Sequence, residues 1–117
     1  MLVNKFKHIY EQKQGPMFNN DDLTRLLEAV SEPMRMQMVF LLTEHDRLNV
    51  GEIARQFRIS RPAISHHLKV LKDAGIVRSE KSGQEVYYWI DSQRIVAALR
   101  ALADKIARST SSETSST

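Results

Sequence analysis

The side chains of this chain that could do chemistry gather between Arg55 and Lys81, where Arg61, Pro62, Ser65, His66, Lys69, Arg78 and Lys81 are interleaved with aliphatic residues. Guanidinium and ammonium groups bind phosphates, and Arg, Ser and His can hydrogen-bond to base edges in a major groove. The same set makes a poor catalytic site. Ser65 and His66 are adjacent on what reads as a helix, so their side chains diverge, and no acid is spaced to orient the imidazole. His66 and His67 point about 100° apart on a helix and cannot easily grip one ion together. No enzyme, metal site or cofactor is expected.

Charge follows the same segment. Arg55–Lys81 holds seven Lys or Arg against Asp73 and Glu80, a net of +5 with the histidines neutral, on a chain whose total is +3. The remainder is therefore −2. A basic face on a mildly acidic body is the footprint of a phosphate-binding surface. A solvated charged face gives the same count, so charge must be joined to shape.

Positioning these residues takes a helix with two different flanks. Ser60 can cap its start, and Pro62 is tolerated because its missing amide hydrogen falls in the unpaired first turn. Ile64, Leu68 and Leu71 recur at i, i+4 and i+7 as a buried seam. Pro62, Ser65, His66 and Lys69 fall on the opposite flank, with Arg61 at its leading edge. Gly75 can take the left-handed conformation that stops the helix. Upstream, Asn49 and Glu52 have capping-box spacing, and a helix from there to about Arg58 turns Ile53, Ala54 and Phe57 inward. Two helices about a turn at Arg58-Ile59-Ser60 make a helix-turn-helix.

Downstream, Ile76–Ser79 and Glu85–Ile90 are β-branched and aromatic runs, with Ser82-Gly83 to turn between them. Val86, Tyr88 and Ile90 alternate with Tyr87 and Trp89, as in a hairpin covered on one face. The fold class read here is mainly α with a small β-hairpin: a winged helix-turn-helix of about five helices and a two-stranded wing. The wing tip, Lys81-Ser82-Gly83-Gln84, can reach a phosphate or the minor groove.

Flanking elements complete the core. Asn20 or Asp21 can cap a helix to about Val30, with Leu23, Leu26, Leu27 and Val30 as its stripe. Pro33 suits the first turn of a second helix to about Thr43, with Met34, Met38, Leu41 and Leu42 inward. A last helix, from about Ser92 to Arg108, carries Ile95, Leu99, Leu102 and Ile106 at 4-3-4 spacing, with Ala98 and Ala101 nearby. Packing within one chain would give that pattern too. The chain is already compact before this helix begins, however, so its stripe is expected to join Leu23 and Leu27 of the first helix in a two-fold dimer interface.

The expected division is a flexible or partly helical arm over 1–19, a winged-helix DNA-binding and dimerisation domain over 20–108, and a disordered Ser/Thr-rich tail over 109–117. In the arm Val3, Phe6 and Tyr10 share a face; the tail has no apolar residue to bury. At 117 residues the chain suits one small domain whose modest core a partner subunit can enlarge. With 42% hydrophobic and 26% charged residues it fits a soluble globular class. No apolar run is longer than five residues, as at Met38–Leu42, which is too short to cross a membrane, and the first residues lack the apolar region of a secretory signal. Without cysteine there are no disulfides or thiolate metal sites, and a cytoplasmic location is expected.

In order and residue type these elements resemble the ArsR/SmtB family of bacterial transcriptional regulators from Leu23 to about Leu102. The likeness is carried by LLEAVSEPMR (Leu26–Arg35), VGEIA (Val50–Ala54) and ISHHLKVLKDAGIV (Ile64–Val77), whose order and spacing make the set specific. The resemblance implies a homodimer through the first and last helices. It also implies a repressor that binds a pseudo-palindromic operator and leaves it when an effector binds. Metal-sensing members carry thiolates where this chain has Asn49 and Gly51, and neither can replace a soft ligand. A second family site uses Asp and His of the last helices. Here Asp91 opens that region, Gln93 stands where His is expected, and Asp104 and Glu113 cannot alone make an imidazole-bearing site.

Roles follow. Ser65 and His66 are expected to read base edges, with Arg61 able to make a bidentate contact to guanine or clamp a phosphate. Lys69, Arg78 and Lys81 are expected on phosphates. His67 lies beside the buried seam as a packing residue with one polar tip, and His8 and His45 read as surface residues. Met34, Met36 and Met38 do not share one helix face, so core packing of Met34 and Met38 explains them better than a ligand site. Two other readings share this fold: a winged-helix protein-interaction module without useful DNA affinity, and a sensor whose small molecule or ion binds at the dimer interface.

Overall fold

Caps and turns divide the chain into elements where the sequence chemistry requires it. The structure, a computed structural model, describes residues 20–116, with side chains over 21–109. The 1–19 arm and its Val3, Phe6 and Tyr10 face lie outside the described residues. In chain order the elements are α1 (Asn20–Ser31), α2 (Pro33–Thr43), β1 (Leu48–Asn49), α3 (Val50–Ala54), α4 (Arg61–Asp73), β2 (Val77–Ser82), β3 (Glu85–Ile90) and α5 (Ser92–Ser116).

Local bonds account for most boundaries. Glu32 caps α2 by accepting from the amides of Met34 and Arg35 at 3.1 and 3.0 Å, and Pro33 follows where no amide donor is needed. Asn49 and Glu52 form the expected reciprocal box: Asn49 Oδ1 accepts from the Glu52 amide at 2.8 Å, and Glu52 Oε1 accepts from the Asn49 amide at 2.9 Å. Ser60 Oγ accepts from the Ala63 amide at the start of α4. Gly75 has φ +80, a left-handed conformation that favours glycine, and a Cβ there would make the flexible end of the Arg94 side chain shift.

The sheet is antiparallel in the order β1-β3-β2. Val77 pairs with Ile90, and Ser82 with Glu85, which leaves Gly83-Gln84 as a two-residue turn with Gly83 at φ +65. Alternation sends Tyr88 and Ile90 against the core, and burial pushes the Tyr88 phenol pKa up. Leu26 and Ala29 of α1, Met38 and Leu42 of α2, Ile53 of α3, and Ile64, Leu68 and Leu71 of α4 form one buried cluster with Ala74, Ile76, Val77 and Ala98. Each fully buried Leu or Ile contributes about 1.5–3 kcal/mol relative to exposure. The second helix and the α4 seam pack as the periodicity predicts.

Four boundaries differ from the sequence reading. The helix opened by Asn49 stops at Ala54, not near Arg58. Beyond it Gln56 and Phe57 bond to Ile53 and Ala54, a tighter i to i−3 pattern. Residues two apart on an α-helix diverge by about 200°, and leaving the helix lets Phe57 and Ile59 both pack on the core. The wing has a third strand, β1, too short to show a period. Strand β2 runs on to Ser82, which moves the turn one residue later than Ser82-Gly83. Finally, α5 is helical to Ser116, past the Arg108 at which the sequence reading ends it and begins a disordered tail. Propagating an existing helix costs far less than starting one.

Candidate nucleic-acid interface

Helix α4 has the two flanks its sequence implies. Ile64, Leu68 and Leu71 are each 0% exposed, while Arg61, Pro62, Ser65, His66 and Lys69 are all exposed. Burial of the seam fixes the helix rotation, and the cap at Ser60 fixes where it starts. The open flank is therefore held by the core and not by its own contacts. Arg78 on β2 and Lys81 near the wing tip are exposed as well. So are Arg55, Arg58 and Lys72, so the seven cations of this segment all face solvent. Lys69 Nζ lies 3.0 Å from Asp73 one turn along, an exposed pair of the kind that is worth little and yields readily to a phosphate.

His67 turns from that flank into the protein. Its Nδ1 is 3.3 Å from an Arg35 guanidinium nitrogen and 3.8 Å from Glu32 Oε2, which ties α4 to the start of α2. Arg35 also donates through Nε to the Ala29 carbonyl at 2.7 Å, so the junction reaches α1. Burial, the largest single influence on the Glu32 carboxyl, would raise its pKa. The Arg35 and Met34 amides, with the charges of His67 and Arg35, outweigh it and hold the group below the ordinary carboxylate value. His67 thus has the packing role expected of it, while the adjacent His66, its ring 6.0 Å away, stands exposed on the open flank.

Sequence reasoning missed Arg47. Its guanidinium lies over the Tyr87 ring at 4.8 Å and the Trp89 ring at 5.1 Å, and reaches Glu80 at 3.3 Å. This cation covers the outer face of β3, which the alternating pattern leaves to solvent, so Tyr87 and Trp89 are half-buried. The signal available was the pair of outward aromatics, which need a cover; that an arginine far upstream supplies it depends on β1 pairing with β3.

The site residues assigned to a dimer interface divide in two. Leu23 and Ile95 pack partly against their own domain's core. Leu27, Leu99 and Ile106 are 38%, 45% and 57% exposed, and Leu102 is half-buried. The most buried part of α5 is Ala97 and Ala98, at 2% and 0% exposure, beside the partly buried Ile95. Small residues against the domain and larger ones turned outward leave an apolar stripe for a second surface.

Among the described residues no three His, Cys, Asp or Glu come together as a metal cluster. At Gly51 the surroundings are cationic: a Cβ there would lie 3.8 Å from nitrogens of both Arg55 and Arg61, which repel a metal ion. A cleft of about 260 Å³ between the end of α2, β3 and the start of α5 includes Thr43, His45, Trp89 and Ser92 in its lining and none of the basic site residues. Among the described residues no helix is long and apolar enough to cross a membrane.

Known proteins resemble this arrangement in sequence and in shape. A family profile described as bacterial regulatory protein, arsR family, matches residues 32–79. The transcriptional repressor SdpR of Bacillus subtilis is 37% identical over 70 residues, 60% of this chain and 77% of that protein. A crystal structure described as a possible transcriptional regulator for arsenical resistance is 44% identical, covers 70% of this chain and 83% of its own, and superposes with a TM-score of 0.62. A solution structure from Mycobacterium bovis, described as a homodimeric winged helix-turn-helix DNA-binding domain, is 28% identical with a TM-score of 0.59, over 74% of this chain and 82% of that one. The family is one of regulators, not of enzymes. With its helix-turn-helix, its wing and this relationship in place, the chain belongs to the arsR family of bacterial regulatory proteins.

Proposed function

We propose that this protein is a sequence-specific DNA-binding transcriptional regulator, a homodimeric repressor that binds a pseudo-palindromic operator. The observation that carries the reading is α4: its seam is fully buried while Arg61, Pro62, Ser65, His66 and Lys69 stand exposed on one flank beside a basic wing. Ser65 and His66 read base edges in the major groove, and Arg61 contacts guanine or phosphate. Lys69, Arg78 and Lys81 hold the backbone. Leu27, Leu99, Leu102 and Ile106, flanked by Leu23 and Ile95, join two copies so that two recognition helices face successive turns of the duplex. The protein works in the cytoplasm, where bacterial DNA lies. Repression is supported by the name of the Bacillus subtilis relative.

A titration of labelled duplex at several salt concentrations tests this reading. Affinity should fall steeply as salt rises, because each neutralised phosphate releases counterions. A protein that shifts no duplex at low salt would be a protein-interaction module. One whose DNA affinity collapses on adding a small molecule or ion would be an effector-controlled repressor.

A further inference from the structure

We propose that Arg55 and Arg61 act as a two-armed clamp on one backbone phosphate of the bound duplex, closing over Gly51. This rests on the DNA-binding reading above and adds Arg55, which that reading does not use. A Cβ built on Gly51 would lie 3.8 Å from Arg55 Nη1 and 3.8 Å from Arg61 Nη2. Two guanidinium groups from different elements, the end of α3 and the start of α4, therefore reach the same methyl-sized opening. Both side chains are exposed. Among the described residues neither takes part in an ion pair or side-chain hydrogen bond, whereas Arg47, Lys69 and His67 each meet a carboxylate.

Like charges brought together repel, and an anion between them turns that repulsion into two attractions. The nearby polar groups are engaged elsewhere. Glu52 Oε1 takes the Asn49 amide, and Asn49 Oδ1, which borders the opening at 3.4 Å, takes the Glu52 amide. Guanidinium donors bond a phosphate oxygen at about 2.7–2.9 Å, so one tetrahedral group can take a bond from each arm. Glycine at position 51 keeps the floor of the opening clear. The occupant is a phosphate of the duplex because Arg61 also begins the exposed flank of α4, with Ser65 and His66 one turn further on. In a helix-turn-helix the first helix, here α3, crosses the DNA backbone.

Anisotropy titrations of the full chain with labelled duplexes over a salt series test the clamp, using Arg55→Gln, Gly51→Asp and the double variant. Gly51→Asp keeps both arginines but places a carboxylate between them, at a first-turn position where an acid is well tolerated. Each single variant should bind roughly tenfold more weakly on every duplex, specific or not. Each should lower the slope of log affinity against log salt by about one. The double variant should be no weaker than the weaker single one. If Gly51→Asp fails to fold, the Arg55→Gln and Arg61→Gln cycle reads the same coupling. Independent, additive losses or an unchanged salt slope overturn the clamp while DNA binding stands. A wild-type chain that binds no duplex overturns both.

Discussion

His66 and Lys81 are both exposed and basic or potentially so, yet they are assigned different work. His66 sits on the flank of a rigid helix and is proposed to discriminate bases; Lys81 sits near the wing tip and is proposed to hold phosphate. His66→Ala should therefore change the order of preference among operator variants, at a cost of about 1–3 kcal/mol on the preferred site. Lys81→Ala should weaken all sequences alike. Titration across a panel of variants separates them, and a uniform loss for both would defeat the assignment. Glu32 gives a prediction in pH. Its folded pKa is lowered from 4.5, so its contribution to stability is present above that value and is lost as pH falls through the lower folded value. Glu32→Gln should flatten the acid limb of thermal melts, and an unchanged limb would remove this cap from the account. At this scale the sequence was legible where the signal is local. The exposure of Ser65 and His66 follows from the spacing of Ile64, Leu68 and Leu71. The partners of Glu32 and Arg47 do not: they lie 35 and about 40 positions away at His67 and Tyr87 and depend on tertiary contact.

Elements were legible to the extent that caps and periods mark them. The Asn49–Glu52 box, the Ser60 cap and Gly75 each fixed a boundary where one was expected. Asn49→Ala should cost about 1 kcal/mol and lower the melting temperature, because a first-turn amide loses its acceptor. Gly75→Ala should cost more, since it meets both a positive φ and the Arg94 side chain. A melt of Gly75→Ala no lower than that of Asn49→Ala would contradict this ordering. Where the reading failed, the cause was a competing demand. Strand β1 has two residues and cannot show alternation; it exists because Leu48 and Asn49 pair with Tyr88 and Tyr87. The short α3 reflects Phe57 and Ile59 both seeking the core, which helical periodicity forbids.

For the whole molecule the question is what covers the outward stripe of α5. Leu99→Glu should convert a sedimenting dimer to a monomer, since the loss of an apolar contact is felt twice across a two-fold axis, about 3 kcal/mol or more in all. Operator affinity should fall with it; a variant that stays dimeric would move the interface elsewhere. Above this sits the claim that α4 turns its cationic flank to a duplex. Selection of bound duplexes from a random pool, using the purified full chain, tests it most directly. The account predicts enrichment of a two-fold symmetric motif, its half-sites about one helical turn apart, and loss of that motif when Ser65 and His66 are both replaced by alanine. A pool that stays random with the wild-type chain, or a motif that survives that double replacement unchanged, would contradict it.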